Sequence, residues 1–580
     1  MPTPSVPPAD ESIPPHLQGY LSRQDYSLYT AMDHAGWRFI LRIGRAFYAE
    51  HAHSKYLDGL RETGISVERI PRLEEMDEKL RRFGWRAVPV VGFIPPAAFL
   101  EFQSYGLLPI ACDMRKMENL DYTPAPDIVH EAAGHAPILA DPAYAAYLRS
   151  YGDVSRRAIF SSENMEVYYA VRRLSDTKER PDASAEEVED AEENLRRALA
   201  GVTYDSEVDW VTRLGWWTAE YGLVGDLADP KIYGAGLLSS IGEGYHCLSD
   251  RVRKLPLTID CIHQPFNITE PQPQLFVTPD FETLNRVLEE LASRMAFRQG
   301  GAEGLAAARR GGTACTVELD SGLQISGVLA DFDAALLRFT GPVQLAFADA
   351  QLPGRDPARA AGYATPFGPL RDGRSPADLR AADLPPLGFT NGGRGRLEFA
   401  SGLQVEGKLA GSLERNGRTL LLTFDECRLR WRGEDLRDPA AGPFDLACGR
   451  EVRSVFGGAA DRRAWQVAVE QEVYEPGLHK TNLTEENRPL NDLYARVREI
   501  REAGTAGARA AELAAVADEL SRRWPQDWLL RWELLELDKA EGLGAAWGPV
   551  VRAQLQRLQA AGRQGAESIE RGLRLLEEAE

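Results

Sequence analysis

An eleven-residue pattern occurs twice in this chain and limits what the chain can fold into. Val317-Glu318-Leu319-Asp320-Ser321-Gly322-Leu323-Gln324-Ile325-Ser326-Gly327 returns as Leu397-Glu398-Phe399-Ala400-Ser401-Gly402-Leu403-Gln404-Val405-Glu406-Gly407. In each copy apolar residues alternate on both sides of a Ser-Gly pair, the period-2 signature of a β-hairpin. A further apolar run follows each copy, at 336–339 and 420–424. Two related small β modules are therefore expected over 313–460, separated by a Pro/Gly/Arg-rich stretch at 353–395.

Outside the modules the period is helical. Leu41, Phe47, Leu57 and Leu60 sit among charges, with Gly64 as a stop. Val88 to Val91 is a short β-like run closed by Gly92 and Pro95-Pro96, and helical patterns dominate from Pro126 to Arg298. Ser184-Ala185-Glu186-Glu187 has the spacing of a capping box. After Thr481, Leu490, Leu493, Val497 and Ile500, then Leu513, Val516 and Leu520, recur at helical intervals. Trp524, Trp528 and Trp532 follow about one helical turn apart, which predicts a core face. The expected order is a Pro-rich tail over 1–19, a mainly α-helical domain over 20–298, a linker with a short Ala-rich helix over 299–312, the β modules over 313–460, and a helical C-terminal region over 461–580.

Lys plus Arg total 67 against 87 Asp plus Glu, a formal charge of -20. Such a chain has no long-range attraction for phosphate backbones or anionic lipid, so neither nucleic acid nor membrane is an expected partner. The six cysteines form no CxxC pair and read as reduced thiols. No basic start followed by an apolar run opens the sequence, and the expected location is the cytoplasm.

Two of the nine histidines fall in Pro126-Asp127-Ile128-Val129-His130-Glu131-Ala132-Ala133-Gly134-His135. The spacing is H-E-x-x-x-H, one residue longer than the H-E-x-x-H of zinc proteases. On an α-helix, residues five apart diverge by about 140°. Both imidazoles can reach one ion only where the helix bends or ends, and Gly134 is expected to supply that freedom. The best third ligand is Glu220, in Trp216-Trp217-Thr218-Ala219-Glu220-Tyr221-Gly222-Leu223, because a carboxylate in an aromatic run is expensive to bury unless paired or metal-bound. Two imidazoles and one carboxylate suit non-haem Fe(II) and O₂ chemistry, and zinc hydrolases use the same ligand types.

Three segments together carry a resemblance. They are Asp121-Tyr122-Thr123-Pro124-Ala125-Pro126-Asp127 leading into His130-Glu131 and His135-Ala136-Pro137, the Trp216–Leu223 run given above, and Tyr233-Gly234-Ala235-Gly236-Leu237-Leu238-Ser239-Ser240-Ile241-Gly242-Glu243. In this order the chain resembles the pterin-dependent aromatic amino acid hydroxylases, most closely their phenylalanine 4-hydroxylase branch. The resemblance covers residues 20–298, about half of the chain. It implies a mainly helical catalytic domain that uses Fe(II), a tetrahydropterin cosubstrate and O₂ to hydroxylate an aromatic amino acid. Phenylalanine to tyrosine is the expected reaction, with tryptophan hydroxylation or meta-hydroxylation of phenylalanine as the alternative. An interaction scaffold with an inactive hydroxylase domain is the alternative of another class.

By this resemblance His130, His135 and Glu220 hold the iron, and Arg115, Thr123, Trp216 and Ser239 hold the amino acid. Arg115 would grip the α-carboxylate, and Trp216 would face the ring. Val90, Gly92, Phe93, Ile94 and Phe99 match the pterin-holding segment, and Glu131 would act beside the pterin. Two departures stand out. Ala132-Ala133 replaces larger apolar residues between the histidines, and Gly215 replaces an aromatic residue, removing an expected wall of the cavity. The C-terminal modules are expected to mediate oligomerisation or protein contacts. The domain is also expected to fold alone in a chain ending near Arg298.

Overall fold

The computed structural model describes residues 13–92, 94–121, 126–179, 184–268, 270–357, 362–390, 393–469, 478–562 and 565–578. Phe93 and Thr123 lie outside the described residues. The chain forms two compact units, one comprising Met1–Asp153, Thr212–Val287 and Tyr474–Glu580, the other Val154–Val211 and Leu288–Val473. This division differs from the expected linear order. The C-terminal helices join the catalytic core, and residues 154–211 group with the β modules.

In the first unit, helix Ala31–His51 opens on a complete capping box between Thr30 and Asp33 and buries Trp37, Phe39, Ile40, Leu41 and Ile43. Helix Tyr56–Glu62 follows and stops, as expected, before Gly64 at φ 89°. Strand β1 (Arg86–Val90) pairs in parallel with β2 (Leu107–Ala111). Ile13 and Leu17, assigned by the sequence to a Pro-rich tail, are buried against Val88, Val90, Ile94 and Phe102. A small sheet in the order β4 (Pro230–Ile232), β3 (Leu223–Gly225), β6 (Gln274–Thr278), β5 (Arg253–Pro256) completes the strands of this unit.

The C-terminal helices Arg488–Glu502, Ala510–Arg523, Leu529–Ala540, Gly548–Ala560 and Ala566–Glu578 belong to this unit because they cover the first long helix. The Phe39 ring meets the rings of Trp528 and Trp532 edge-on, each at 4.9 Å. Arg38, buried, pairs with Glu533 and Glu536. Gly572 lets the last helix close on this cluster, since a Cβ there would lie 2.8 Å from the Trp532 ring. The three tryptophans do not share one helical face. Pro525 forces Trp524 out of helical geometry, to φ -129° and ψ 66°, and the next helix starts at Leu529.

In the second unit, the capping box at Ser184 and Glu187 forms at the start of helix Ala185–Ala200, as its spacing predicts. Both expected hairpins are present. β7 (Ala314–Leu319) pairs with β8 (Leu323–Phe332), and β12 (Arg394–Glu398) with β13 (Gln404–Arg415). Their turns need Gly322 and Gly402, at φ 87° and 81°. The later apolar runs fall in third strands, β9 (Leu336–Phe347) and β14 (Arg418–Trp431). β10 (Ala350–Gln351) and β11 (Gly362–Pro366) extend the first sheet, and β15 (Glu434–Arg437) and β16 (Phe444–Ala447) the second. The modules are not strung end to end, however. β17 (Val452–Gly457) returns after the second module to pair with β7, so the second module is an insertion in the first sheet. The expected linker is a packed helix over Gly301–Gly311, with Leu305 and Ala308 buried against Val317 and Val455.

Candidate metal centre

The two histidines converge through a wider helix. Val129–His135 is a π-helix, and the Ala136 N–H closes it on the Glu131 carbonyl. A turn that closes on the fifth residue stacks residues five apart on one face, which is what H-E-x-x-x-H requires. The imidazole rings stand 5.0 Å apart at 85°. Gly134 does not act as a hinge. A Cβ on it would lie 2.6 Å from the Ala235 carbonyl, so the glycine admits helix Ala235–Ser239 against the histidine segment. Trp216–Glu220 is also a π-helix, closed by the Tyr221 N–H on the Trp216 carbonyl at 2.9 Å, and it delivers Glu220.

Glu220 Oε2 lies 3.2 Å from His130 Nε2, and Oε1 lies 3.2 Å from His135 Nε2. Ligands about 2.1 Å from one ion and at right angles stand about 3 Å apart, so these atoms fit a metal. Both His135 ring nitrogens and Glu131 Oε2 are buried without a hydrogen-bond partner among the described residues. Such atoms are costly unless an ion or ligand satisfies them. His130, Glu131 and His135 also offer ligand atoms within 4.8 Å of one another. Electrostatics separates the two carboxylates. Burial favours a neutral Glu220, but the charges of the His135 and His130 imidazoles beside it outweigh burial and hold the carboxyl far below its usual range. Burial pushes Glu131 up to about 8, against His135 and with help from the Glu220 charge. The two carboxylates therefore differ, Glu220 being held ionised beside the imidazoles and Glu131 being driven toward its neutral form by burial.

Ser239 sets the His130 tautomer. Its hydroxyl donates to the Ala235 carbonyl at 2.7 Å and so accepts from His130 Nδ1 at 3.1 Å, leaving the Nε2 lone pair for a metal. Its carbonyl accepts from Arg115 Nη1 at 3.0 Å. Arg115 is fully buried and makes a bidentate pair with Asp127, with Nε and Nη2 each at 2.8 Å. These three bonds use three of the five guanidinium donors. Burial alone would raise the Asp127 carboxyl, but the Arg115 charge, its hydrogen bonds and the His130 N–H hold it below the usual range. The sequence reading gave Asp127 no role. Its place three residues before His130, where its side chain accepts the His130 N–H at 3.0 Å, was the available signal.

Trp216 stacks with Phe266 at 4.2 Å and with Tyr221 at 4.5 Å. Phe266 was not anticipated. Val90 and Ile94 point into the core, and Gly92, at φ 69°, donates its N–H to Asp113 at 3.3 Å. The Phe99 ring is 6.4 Å from that of His135. The space that Gly215 was expected to leave is filled, whereas the two alanines sit under a backbone contact. Tyr56 donates to the Ala133 carbonyl at 3.0 Å behind the two alanines. A Cβ on Gly215 would lie 2.1 Å from the Tyr151 hydroxyl, so a different aromatic side chain occupies that position.

A family profile described as biopterin-dependent aromatic amino acid hydroxylase matches residues 23–170 and 190–299. A phenylalanine-4-hydroxylase of Ralstonia nicotianae is 28% identical over 47% of this chain and 80% of its own length. One of Pseudomonas aeruginosa is 29% identical over 47% of this chain and 88% of its own. A crystal structure of Chromobacterium violaceum phenylalanine hydroxylase with iron(III) and 7,8-dihydrobiopterin aligns with 47% of this chain and 85% of that one, at 25% identity and a TM-score of 0.37. Residues 300–580 lie outside the family match. The segment 23–299, with its His-His-Glu iron site, is the catalytic domain of a tetrahydropterin-dependent enzyme of the biopterin-dependent aromatic amino acid hydroxylase family.

Proposed function

We propose that the chain hydroxylates L-phenylalanine to L-tyrosine in the cytoplasm. The observation that carries the reading is the convergence of His130, His135 and Glu220 beside the Arg115–Asp127 pair, in a chain whose relatives are named phenylalanine-4-hydroxylases. Six free, buried cysteines suit a reducing compartment. Among the described residues no helix is long and apolar enough to cross a membrane.

In this reading His130, His135 and Glu220 would hold Fe(II). Fe(II) and the tetrahydropterin, when bound, supply the activation of O₂. The protein supplies orientation. Ser239 keeps His130 in the ligating tautomer. Asp127 fixes the Arg115 plane, so that the guanidinium donors not used by Asp127 and Ser239 meet the amino-acid carboxylate. Trp216, stiffened by Phe266 and Tyr221, borders the aromatic ring, and Thr123 and Ser239 complete the amino-acid contacts. Val90, Gly92, Phe93, Ile94 and Phe99 form the pterin-holding segment, although the Val90 and Ile94 side chains are in the core. Glu131, whose neutral form is favoured by burial, acts beside the pterin.

The test is product identification by mass spectrometry and NMR after separate incubation with phenylalanine, tyrosine and tryptophan, with Fe(II) and a synthetic tetrahydropterin. Tyrosine from phenylalanine, as the fastest reaction, is expected. Preferred turnover of tryptophan, or meta-hydroxylated phenylalanine, would move the enzyme elsewhere in the family. No product from iron-loaded protein would make the chain a scaffold.

A further inference from the structure

We propose that the C-terminal helices, which lie outside the family match, position the segment that grips the amino acid. Asn482, Ser568 and Arg571 are the positioning residues. The proposal rests on the reading that Arg115 holds the substrate carboxylate.

The segment from Cys112 to Asp127 joins β2 to the first π-turn and carries Arg115. Its inner side is tied to the site. Arg115 binds Asp127 and the Ser239 carbonyl, and the Asp121 carbonyl accepts the Ser240 hydroxyl at 2.6 Å and the Gly242 N–H at 3.3 Å. Its outer side is tied to the C-terminal region, through Asn482 in the segment that leads into helix Arg488–Glu502 and through the last helix, Ala566–Glu578. The Asn482 amide donates to the Met114 carbonyl at 3.0 Å, one residue before Arg115, and to Asp33 at 2.8 Å on the first long helix. At the other end Asp121 Oδ1 accepts the Ser568 hydroxyl and Arg571 Nη1, the latter at 3.2 Å. Ser568 is fully buried. Arg571 also lies over the Tyr245 ring, 4.9 Å from its centroid, so its fork is held from two directions.

These bonds hold the segment on both sides of Arg115, through the Met114 carbonyl and the Asp121 side chain, and the two to Asp121 are charge-assisted. None of the three residues touches the ligand set, so they act through the segment. A small displacement of a substrate-holding group is enough to lower productive alignment of the ring. The helices therefore make catalytic alignment depend on a region that the rest of the family match does not include.

The experiment uses the full, iron-loaded chain with phenylalanine and a synthetic tetrahydropterin. Asn482→Ala and the double variant Ser568→Ala/Arg571→Gln are compared with wild type and with Arg571→Lys. In the double variant the amino-acid KM is expected to rise roughly tenfold. Hydroxylated product per pterin oxidised should fall, with pterin KM and iron content within about twofold of wild type. Arg571→Lys keeps the charge and should recover part of the loss. Hydrogen–deuterium exchange should quicken in peptides covering 112–121 and stay unchanged over 129–140. Unchanged exchange at 112–121 overturns the proposal, and so does faster exchange with unaltered amino-acid KM and coupling. If wild-type protein turns over no aromatic amino acid, the functional reading fails separately, and the exchange data alone decide whether these residues hold the segment.

Discussion

A chain ending at residue 473 should lose its stable catalytic unit, although it retains every iron and substrate residue. The perturbation removes the helices that cover Ala31–His51. Phe39 is fully buried, and both of its indole neighbours, Trp528 and Trp532, would go. Uncovering a phenylalanine costs about 1.5–3 kcal/mol, and two lost edge-to-face pairs add about 0.5–1.5 kcal/mol each. Arg38 loses Glu533 and Glu536 but regains water, so its contribution is the smaller one. The sum, roughly 3–6 kcal/mol, is a large part of the ~5–15 kcal/mol typical of a native fold. It corresponds to a fall in Tm of about 10–20 °C, or to aggregation during expression. Gel filtration, a calorimetric melt and iron analysis on the shortened chain read this directly. A monodisperse product melting within about 3 °C of the full chain, with normal iron, would refute the packing argument. It would also restore the expectation that residues 20–298 fold alone.

Four further outcomes follow from the site. Iron, measured by elemental analysis, should be nearly abolished in His130→Ala, His135→Ala and Glu220→Gln but retained in Glu131→Gln; loss of iron in Glu131→Gln alone would exchange the roles of the two carboxylates. Glu131 also predicts a pH effect in iron-free protein. Its folded carboxyl sits at about 8 against 4.5 ordinarily, so the unfolded chain ionises first and stability falls as pH rises between those values. Glu131→Gln should flatten that limb of the stability curve, and an unchanged slope would remove Glu131 as its cause. Arg115→Ala should lower kcat/KM by one to three orders of magnitude and also lower Tm, because it strands Asp127, with Arg115→Lys recovering part of both; near-wild-type kcat/KM in the folded fraction would take Arg115 out of the site. Gly215→Ala should cost about 1–3 kcal/mol by driving a methyl into the Tyr151 hydroxyl, and Tyr151→Phe should relieve part of this. Equal melting temperatures for wild type and Gly215→Ala would show that the backbone there can yield.

What was legible in the sequence was local or repeated. The hairpins could be read because alternation and a Ser-Gly turn specify register within a few residues, and Gly322 and Gly402 take the conformations those turns need. The capping box at Ser184 could be read for the same reason. The convergence of His130, His135 and Glu220, proposed above as the ligands, could be suspected from residue types within motifs long enough to recognise. Long-range packing was not. Periodicity in 490–520 shows that a helix has an apolar face, but not that the face belongs to the helix carrying Phe39. Nothing in the period-2 pattern of 452–457 says that this strand crosses a whole module to pair with β7. The four-residue interval predicts one face for Trp524, Trp528 and Trp532, but Pro525 ends the helix between the first two.

The H-E-x-x-x-H spacing shows why ligand identity was easier to read than ligand geometry. On α-helical rules the two imidazoles diverge, which is why a bend at Gly134 was expected. The structure instead widens the helix by one residue per turn, twice, once for the histidines and once for Glu220. Wide turns are rare and persist where their surroundings hold them. Here the holding contacts are visible. Asp127 takes the His130 N–H, Tyr56 takes the Ala133 carbonyl, Gly134 abuts the Ala235 carbonyl, and Gly234 abuts the Glu220 carbonyl, where a Cβ would lie 2.5 Å away. These contacts fix the backbone that carries His130, His135 and Glu220. The two glycines serve close approach, not flexibility, and the residues that shape the centre outnumber those that would touch its iron.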